Sequence, residues 1–448
     1  MKAKKWDIND SKETIKLAHA FFSGNMLVNR YKQKEPNRKV VSTIFPLSEL
    51  IYAMDAIPLF PTRYDKFKHK GSDVVLNGIT NVTKTFGWNA LDNLIKLAFF
   101  TRAGAELVES VVDNLIDALN ARYTYFTRYA EQVGFPSDSC YSARLTYGLY
   151  EHFGNKFDLS LNLGYRCSFL YKMFESLDKL VGSNYTVEIP LDRSKKSEQL
   201  LESQLVEFIE MMEQNTGNRF SEDKLKEIVM ITNEIKELFK RFIFETCTSK
   251  YIPYNPVTFA NIQTVMLFSF IDMNSNIRAY RANFKSLISE MENKISKHQG
   301  YDASKSARIL LTPVISGFDP ATIESIAYHG GIPIIADWEI LGFLEPVSTS
   351  GNMVRNYARY LLNLNQFLGW ENELLAKSIT RVAQDMNIDG LVYQTVFGCK
   401  NMSPVLHMVK NLARRNGIPI TALNFSNIGE GVEQNKTRIE AFLEMLKE

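Results

Sequence analysis

The chain has 448 residues, 45% of them hydrophobic and 23% charged, so it is long enough for two or three globular domains with sizeable cores. Its net charge of +2 gives no general attraction to nucleic acid or to an anionic membrane. No stretch approaches the roughly 20 apolar residues of a membrane span, and the start of the chain lacks the apolar run of a signal peptide, which predicts a cytoplasmic protein.

The first part of the chain alternates between helix and strand patterns. Residues 1–38 are polar and contain an amphipathic helix pattern from Thr14 to Val28. The apolar runs KVVSTIFP, AIPLFP, FDLSLNLG and YTVEIPL then predict buried strands, with helix patterns such as SELIYAM between them. These patterns predict an N-terminal helical segment, 1–38, and a first α/β domain, 39–195.

The middle of the chain, residues 196–300, is rich in charge and has helical periodicity with Ser221 as a predicted N-cap. From residue 301 the alternation resumes, with ARILLTPVIS, IPIIAD, GLVYQTV and IPITALN as predicted strands. The second α/β domain is therefore predicted over 301–448. The predicted fold class is α/β, with two open, mostly parallel-sheet, Rossmann-like domains, N-terminal helices and a helical insert between the domains.

Common motifs for nucleotide binding and hydrolysis are absent from the sequence. It has no GxxxxGK[ST] phosphate loop, no GxGxxG dinucleotide turn, and no CxxC, HExxH or GxSxG. The six histidines are dispersed along the chain. An α/β protein of this kind needs another source of chemistry.

Three of the four cysteines lie where a predicted helix begins. Cys140 opens a helix pattern, whereas Cys167 and Cys399 follow the strands FDLSLNLG and GLVYQTV and precede helices. The carboxyl ends of parallel strands bind ligands, and helix N-termini favour the thiolate. These cysteines are candidate ligands of one metal centre, either zinc or a four-iron cluster with an open site, but separate buried cysteines are an alternative. Cys247 is predicted to be structural.

Several longer segments occur in a specific order from about Lys39 to the C-terminus: VVSTIFPLSELIYAMDAIPLFP, SCYSARLTYGL, GYRCSFLYKMFESL, ARILLTPVISGFD, GGIPIIADWE and DGLVYQTVFGCKNMS. In these segments the chain resembles the 2-hydroxyacyl-CoA dehydratase and benzoyl-CoA reductase family, and in particular its α-type subunit, which binds the cluster and the substrate. The resemblance implies a 4Fe–4S cluster with three cysteine ligands, Cys140, Cys167 and Cys399, and one open iron site.

The activity implied by the resemblance is that of an ATP-activated radical (R)-2-hydroxyacyl-CoA dehydratase, a lyase of anaerobic metabolism. One electron reduces the thioester to a ketyl radical, and loss of water then gives enoyl-CoA. The implied partners are an acyl-CoA substrate, a homologous second subunit or a second copy of this chain, and a separate iron–sulfur ATPase as activator. Two alternatives stay open: a benzoyl-CoA-reductase-like, ATP-driven reductase of unsaturated or aromatic CoA thioesters, and a non-catalytic electron-relay subunit.

The resemblance also suggests catalytic residues. It places Ser42 or Thr43 near the substrate thioester, and Glu49 matches a more general family pattern, although a carboxylate at a helix start is equally explained by the helix dipole. The sequence departs from the family at two points. Thr62 stands where the family tends to have glutamate, and the loop 424–431 lacks the family's aspartate. Both departures leave the substrate open, because the resemblance implies that an acidic residue acts on the substrate hydroxyl and this residue is missing or replaced here.

Overall fold

The computed structural model describes residues 12–64, 72–99, 121–164, 167–313, 319–335, 338–364 and 372–447. It confirms the predicted fold class, because two four-stranded parallel sheets alternate with helices. The helices are α1 (Lys12–Phe22), α2 (Gly24–Lys34), α3 (Ser48–Ala53), α4 (Ser72–Phe86), α5 (Trp88–Phe99), α6 (121–132), α7 (Tyr141–Phe153), α8 (Ser168–Ser176), α9 (Lys195–Thr216), α10 (Glu222–Arg241), α11 (Pro256–Asp272), α12 (Ile277–Ser296), α13 (Pro320–Tyr328), α14 (Trp338–Phe343), α15 (Met353–Asn363), α16 (Asn372–Asp385), α17 (Met402–Arg415) and α18 (Val432–Met445). In the described part of the chain, none of the helices combines the length and hydrophobicity needed to cross a membrane.

The first sheet contains β1 (Val40–Thr43), β2 (Ile57–Leu59), β3 (Leu159–Gly164) and β4 (Asn184–Glu188), in the order β2-β1-β3-β4. All its neighbouring strands are parallel. Every residue of β1 and β3 is buried, including the polar side chains of Ser160 and Asn162 in β3, which hydrogen-bond to each other.

The second sheet contains β7 (Arg308–Thr312), β8 (Ile332–Ile334), β9 (Gly390–Val396) and β10 (Ile420–Phe425). It is also parallel throughout, in the order β10-β9-β7-β8. The predicted strands ARILLTPVIS and IPIIAD and the predicted helix NYARYLLNLNQFLG each run into residues outside the described ranges.

The two sheets have the same topology. In each, the first strand along the chain lies between the second and the third, and the fourth strand lies beyond the third. The register is also the same: Thr43 at the end of β1 pairs with Leu161, and Thr312 at the end of β7 pairs with Tyr393. The third strand extends three residues beyond this pair in both sheets. The two sheets are therefore structurally alike, although the sequence contains no short repeat that would show this similarity.

The N-terminal helix pattern from Thr14 to Val28 is interrupted, and the single predicted helix is wrong in this respect. Helix α1 ends at Phe22, and α2 begins at Gly24 after Ser23. A Cβ atom at Gly24 would lie 2.6 Å from the carbonyl oxygen of Arg63. The close approach of these two backbones therefore requires glycine at this position.

The helical insert connects the two sheets. Ser221 caps α10 as predicted, since its side chain accepts a hydrogen bond from the Lys224 amide. Helix α10 packs on α3, which follows the first sheet's β1. In α11, the side-chain amide of Gln263 donates to Pro333 O and accepts from Ile335 N, at the end of β8. The insert also contains an antiparallel pair, β5 (Tyr251–Ile252) and β6 (Tyr301–Asp302). The domain limits at residues 38, 195 and 300 stay a prediction.

Candidate functional site

The three candidate cysteines lie at the starts of helices, as the sequence predicts. Cys140 is the N-cap of α7, and Cys167 is the N-cap of α8, where its sulfur accepts a hydrogen bond from the Leu170 amide at 3.4 Å. Cys399 lies in the turn between β9 and α17. All three are partly buried thiols.

The duplicated topology explains the positions of two of these cysteines. Cys167 comes three residues after Gly164, the last residue of β3, and Cys399 comes three residues after Val396, the last residue of β9. Both follow the third strand of their sheet, beside the point where the strand order reverses. Ligands of open parallel sheets bind at this switch point. Each sheet therefore contributes one thiol from the same structural position.

Cys140 lies close enough to Cys399 and Cys167 to interact with both electrostatically. The pKa of Cys140 is raised to about 12, mainly by burial, and the nearby thiols of Cys399 and Cys167 contribute to this shift. The backbone N–H groups of Ala143 and Ser142, at the start of α7, oppose this shift because they stabilise the thiolate. The site therefore brings together cysteines from both sheets, and the first turn of a helix faces the sulfur of Cys140.

Gly398 brings the Cys399 turn onto the Cys140 segment. Its φ of +77° is in the left-handed region. A Cβ atom at this position would lie 2.4 Å from Asp138 O and 2.9 Å from Cys140 N. The two backbones are therefore in direct contact, and only glycine satisfies both the conformation and the approach.

Cys247 has a different environment. It is fully buried after α10, and burial raises its pKa, while the nearby Arg308 lowers it. The Arg308 guanidinium donates to the Cys247 carbonyl oxygen at 3.2 Å. Its packing is that of a core residue, and its structural role stays a prediction.

Among the residues that the structure describes, no group of three or more His, Cys, Asp or Glu side chains is arranged to hold a metal ion.

An apolar cluster packs against two of the three thiols. This cluster, called the cleft cluster below, consists of buried Phe21, Phe22, Phe60, Leu76, Tyr123, Tyr141, Val396 and Phe425. Cys140 and Cys399 pack against it. Phe60 follows β2, while Val396 and Phe425 end β9 and β10. Residues from the carboxyl edges of both sheets therefore pack together in the cleft cluster.

The predicted catalytic hydroxyls are buried at the end of β1. Ser42 Oγ accepts a hydrogen bond from Tyr150 OH at 3.0 Å, and Thr43 Oγ1 donates to Phe45 O at 2.7 Å. Both side chains are fully buried. Their hydroxyls therefore have protein partners, and their catalytic roles stay predictions.

Glu49 belongs to a buried network that links three helices. Its carboxylate lies 3.5 Å from Lys236 Nζ of α10 and accepts a hydrogen bond from Tyr357 OH of α15 at 3.1 Å. The ammonium group of Lys236 also lies 4.1 Å from the ring centre of Tyr360, and burial lowers its pKa. Sequence reasoning missed Lys236 because it lies among the charged residues between the apolar positions of α10. The network joins the first sheet's α3 to the insert and the second domain, and the catalytic role of Glu49 stays a prediction.

We expect Lys236→Met to lower the free energy of unfolding by about 3–5 kcal/mol, because the Glu49 carboxylate would lose its buried cationic partner. Lys240→Met is the matched control one turn along α10. Lys240 is 26% exposed and pairs with Glu345, so its loss should cost less than about 1 kcal/mol. Urea unfolding of both variants measures the difference. Equal losses would show that the buried pair contributes no more than a surface pair.

The two predicted departures from the family pattern, Thr62 and the loop 424–431, lie near tyrosines of the cleft cluster. Thr62 and Tyr141 are each 3% exposed, and the Tyr141 hydroxyl makes no hydrogen bond to the residues that the structure describes. Burial raises the pKa of Tyr123 to about 12, and a hydrogen bond with the Thr62 hydroxyl opposes this shift. Burial also raises the pKa of Tyr141, and the nearby Tyr123 and Asp319 side chains raise it further. The buried carboxylate of Asp319 accepts a hydrogen bond at 3.2 Å from the Gly429 amide, in the loop 424–431. Sequence reasoning missed these tyrosines and Asp319 because they are far apart along the chain.

A family model described as 2-hydroxyglutaryl-CoA dehydratase, D-component, matches residues 43–446, nearly the whole chain. No curated protein matches the chain. The matched range begins at the last residue of β1 and includes every other strand of the two sheets, the insert and all three candidate cysteines.

Proposed function

This chain belongs to the family of the 2-hydroxyglutaryl-CoA dehydratase D-component, a component of a 2-hydroxyacyl-CoA dehydratase, and we propose that it is the iron–sulfur subunit of an ATP-activated radical dehydratase of (R)-2-hydroxyacyl-CoA thioesters. The observation that carries the proposal is the convergence of Cys140, Cys167 and Cys399 at the carboxyl edges of both sheets. Three thiolates are the ligand set of a 4Fe–4S cluster with one open iron site.

The surroundings of the thiols fit such a cluster. Backbone N–H groups at the starts of α7 and α8 face the sulfurs of Cys140 and Cys167, where they stabilise thiolate charge. The raised pKa of Cys140 means that this buried thiol needs a cation to lose its proton readily. When bound, the cluster would supply one-electron transfer and a Lewis-acidic iron to a CoA thioester.

The overall reaction explains the need for such a centre. In dehydration, the C–O bond at C2 and a C–H bond at C3 break, a C2=C3 double bond forms, and water leaves with no net change in oxidation state. The C3 proton is too weakly acidic for a side-chain base to remove directly. We propose that the cleft cluster keeps water from the reacting thioester and that Ser42, Thr43 and Glu49, all buried, are the catalytic residues.

Other components complete the proposed enzyme. The family name describes a D-component, which implies another component of the same dehydratase. We propose a homologous second subunit or a second copy of this chain, and a separate iron–sulfur ATPase that delivers the electron in the cytoplasm. The sequence itself has no phosphate loop, so ATP hydrolysis is assigned to the activator.

Binding of acyl-CoA thioesters to anaerobically purified, iron-loaded protein tests this function. We expect calorimetric titration with (R)-2-hydroxyhexanoyl-CoA to give a Kd at least 10-fold lower than titration with free CoA. If the protein binds benzoyl-CoA more tightly than the 2-hydroxyacyl thioester, the reductase becomes the better-supported function. If the iron-loaded protein binds no thioester, the electron-relay function is the one that fits.

A further inference from the structure

A buried arginine contacts both halves of the candidate site. Arg144, near the start of α7, is only 2% exposed. Its guanidinium donates from Nε to Ser139 O at 3.1 Å and from Nη2 to Ser426 O at 2.8 Å, and Nη1 pairs with the carboxylate of Glu131. Ser139 directly precedes Cys140, whereas Ser426 directly follows β10 of the second sheet. The arginine therefore bridges the segment that carries Cys140 and the second sheet.

The contacts of Arg144 require the shape of its guanidinium. This planar group presents donors in fixed and different directions, so one side chain reaches two backbone carbonyl oxygens and a carboxylate at once. The Glu131 carboxylate balances the positive charge, which allows the group to be buried. Because both bridged partners are backbone oxygens, the bridge fixes the path of the chain at Ser139 and Ser426.

Backbone contacts around Cys399 connect to the same bridge. The N–H group of Phe397 donates at 2.9 Å to the carbonyl oxygen of the last residue of β10, which attaches the Cys399 turn to the end of this strand. On its other side, the turn touches the Cys140 segment through Gly398. The Cys140 segment, the Cys399 turn, the end of β10 and Arg144 therefore form a closed ring of contacts.

We propose that Arg144 is a positioning residue that holds the Cys140 and Cys399 thiols in the arrangement in which they share one metal centre, an inference that rests on the proposed function because it treats these thiols as cluster ligands. A single contact at Gly398 would allow the two segments to rotate about it. The second contact, through Arg144, prevents this rotation. The residue acts through the backbone on either side of the site.

Thiol cross-linking in the iron-free chain measures this arrangement directly. A chain that carries Cys167→Ser and Cys247→Ser keeps Cys140 and Cys399 as its two cysteines. Dibromobimane alkylates thiols and joins two that lie close together, and mass spectrometry gives the ratio of cross-linked to singly alkylated chains. We expect Arg144→Lys in this background to lower the ratio about 10-fold, because lysine keeps the charge but cannot reach both carbonyl oxygens, and small displacements strongly slow intramolecular reactions.

Two further variants separate positioning from a general loss of stability. Glu131→Gln removes the ion pair but leaves both carbonyl contacts of Arg144 in place. Arg63→Lys is the matched control, because the buried guanidinium of Arg63 likewise contacts two backbone carbonyl oxygens, near the end of α1, and a carboxylate, that of Asp272. None of these partners belongs to a segment that carries a cysteine. Both variants should have a lower Tm and an unchanged cross-linking ratio.

Iron content links the bridge to the proposed centre. With all four cysteines present, Arg144→Lys should purify anaerobically with less than about half of the iron of the unaltered chain, since groups that orient metal ligands strongly affect metal affinity. An unchanged cross-linking ratio in Arg144→Lys, or an equal fall in Arg63→Lys, would overturn the positioning role and leave the proposed cluster intact. A fall confined to Arg144→Lys, in a protein that binds no iron when unaltered, would support the bridge and remove the proposed function.

Discussion

Chains carrying Cys167→Ser or Cys399→Ser are expected to purify anaerobically with less than half of the iron of the unaltered protein. Each thiol follows the third strand of its sheet and converges on Cys140, so each substitution removes one of three proposed ligands. Serine is nearly isosteric with cysteine but is a poor ligand for iron–sulfur clusters, which are held by thiolates. Iron and sulfide analysis of the purified chains measures the effect.

Cys247→Ser is the matched control for these variants. Cys247 is also a buried thiol, but it lies beyond the end of α10, beside Arg308. The same chemical change there should leave the iron content within about 10% of the unaltered value. Equal loss of iron from all of the cysteine variants would contradict the assignment of the ligands.

Gly398→Ala is expected to have the second-largest effect, a loss of most of the iron without any change in the ligands themselves. An added methyl group would overlap Asp138 O and the Cys140 amide, so the Cys399 turn must move away from Cys140. The alanine would also have to adopt a φ of +77°, which costs an L-residue about 1–2 kcal/mol. Iron content and Tm are measured together.

Gly417→Ala controls for backbone strain alone. Gly417 has a φ of +67°, and no atom lies within 4 Å of the position that its Cβ would occupy. This variant should lose a similar 1–2 kcal/mol of stability and keep its iron. If both glycine variants retain their iron, the contact between residues 138–140 and the Cys399 turn is not needed for iron binding, which contradicts the prediction.

Much of the fold can be predicted from the sequence because parallel strands are buried on both faces. Runs such as GLVYQTV contain few polar residues, and the corresponding β9 is buried at every position. The start of α10 is also predictable, since the Ser221 side chain accepts a hydrogen bond from a backbone amide of the first turn. Local chemistry determines these features.

Other features depend on contacts between distant residues and are not visible in local patterns. The helix break at Ser23 lies next to Gly24, whose backbone closely approaches Arg63, about 40 residues later. Lys236 has the helical spacing of the buried positions Thr232 and Phe239, but its charge is typical of exposed residues; the carboxylate of Glu49 on α3 explains how it is buried.

The candidate site is also only partly predictable from local sequence. The predicted helix starts and strand ends give the position of each cysteine along the chain, but the spacings between the cysteines do not show whether their side chains lie close together. That information comes from the common strand order of the two sheets and from the contact that Gly398 makes with the Cys140 segment. The Thr62, Tyr123 and Tyr141 hydroxyls require the same three-dimensional information, because they lie on separate elements.

Iron and acid-labile sulfide analysis of the protein purified without oxygen tests the central claim most directly. The proposed cluster predicts a brown protein with about four iron and four sulfide per chain, held by Cys140, Cys167 and Cys399. A colourless protein with stoichiometric zinc and no sulfide would contradict it.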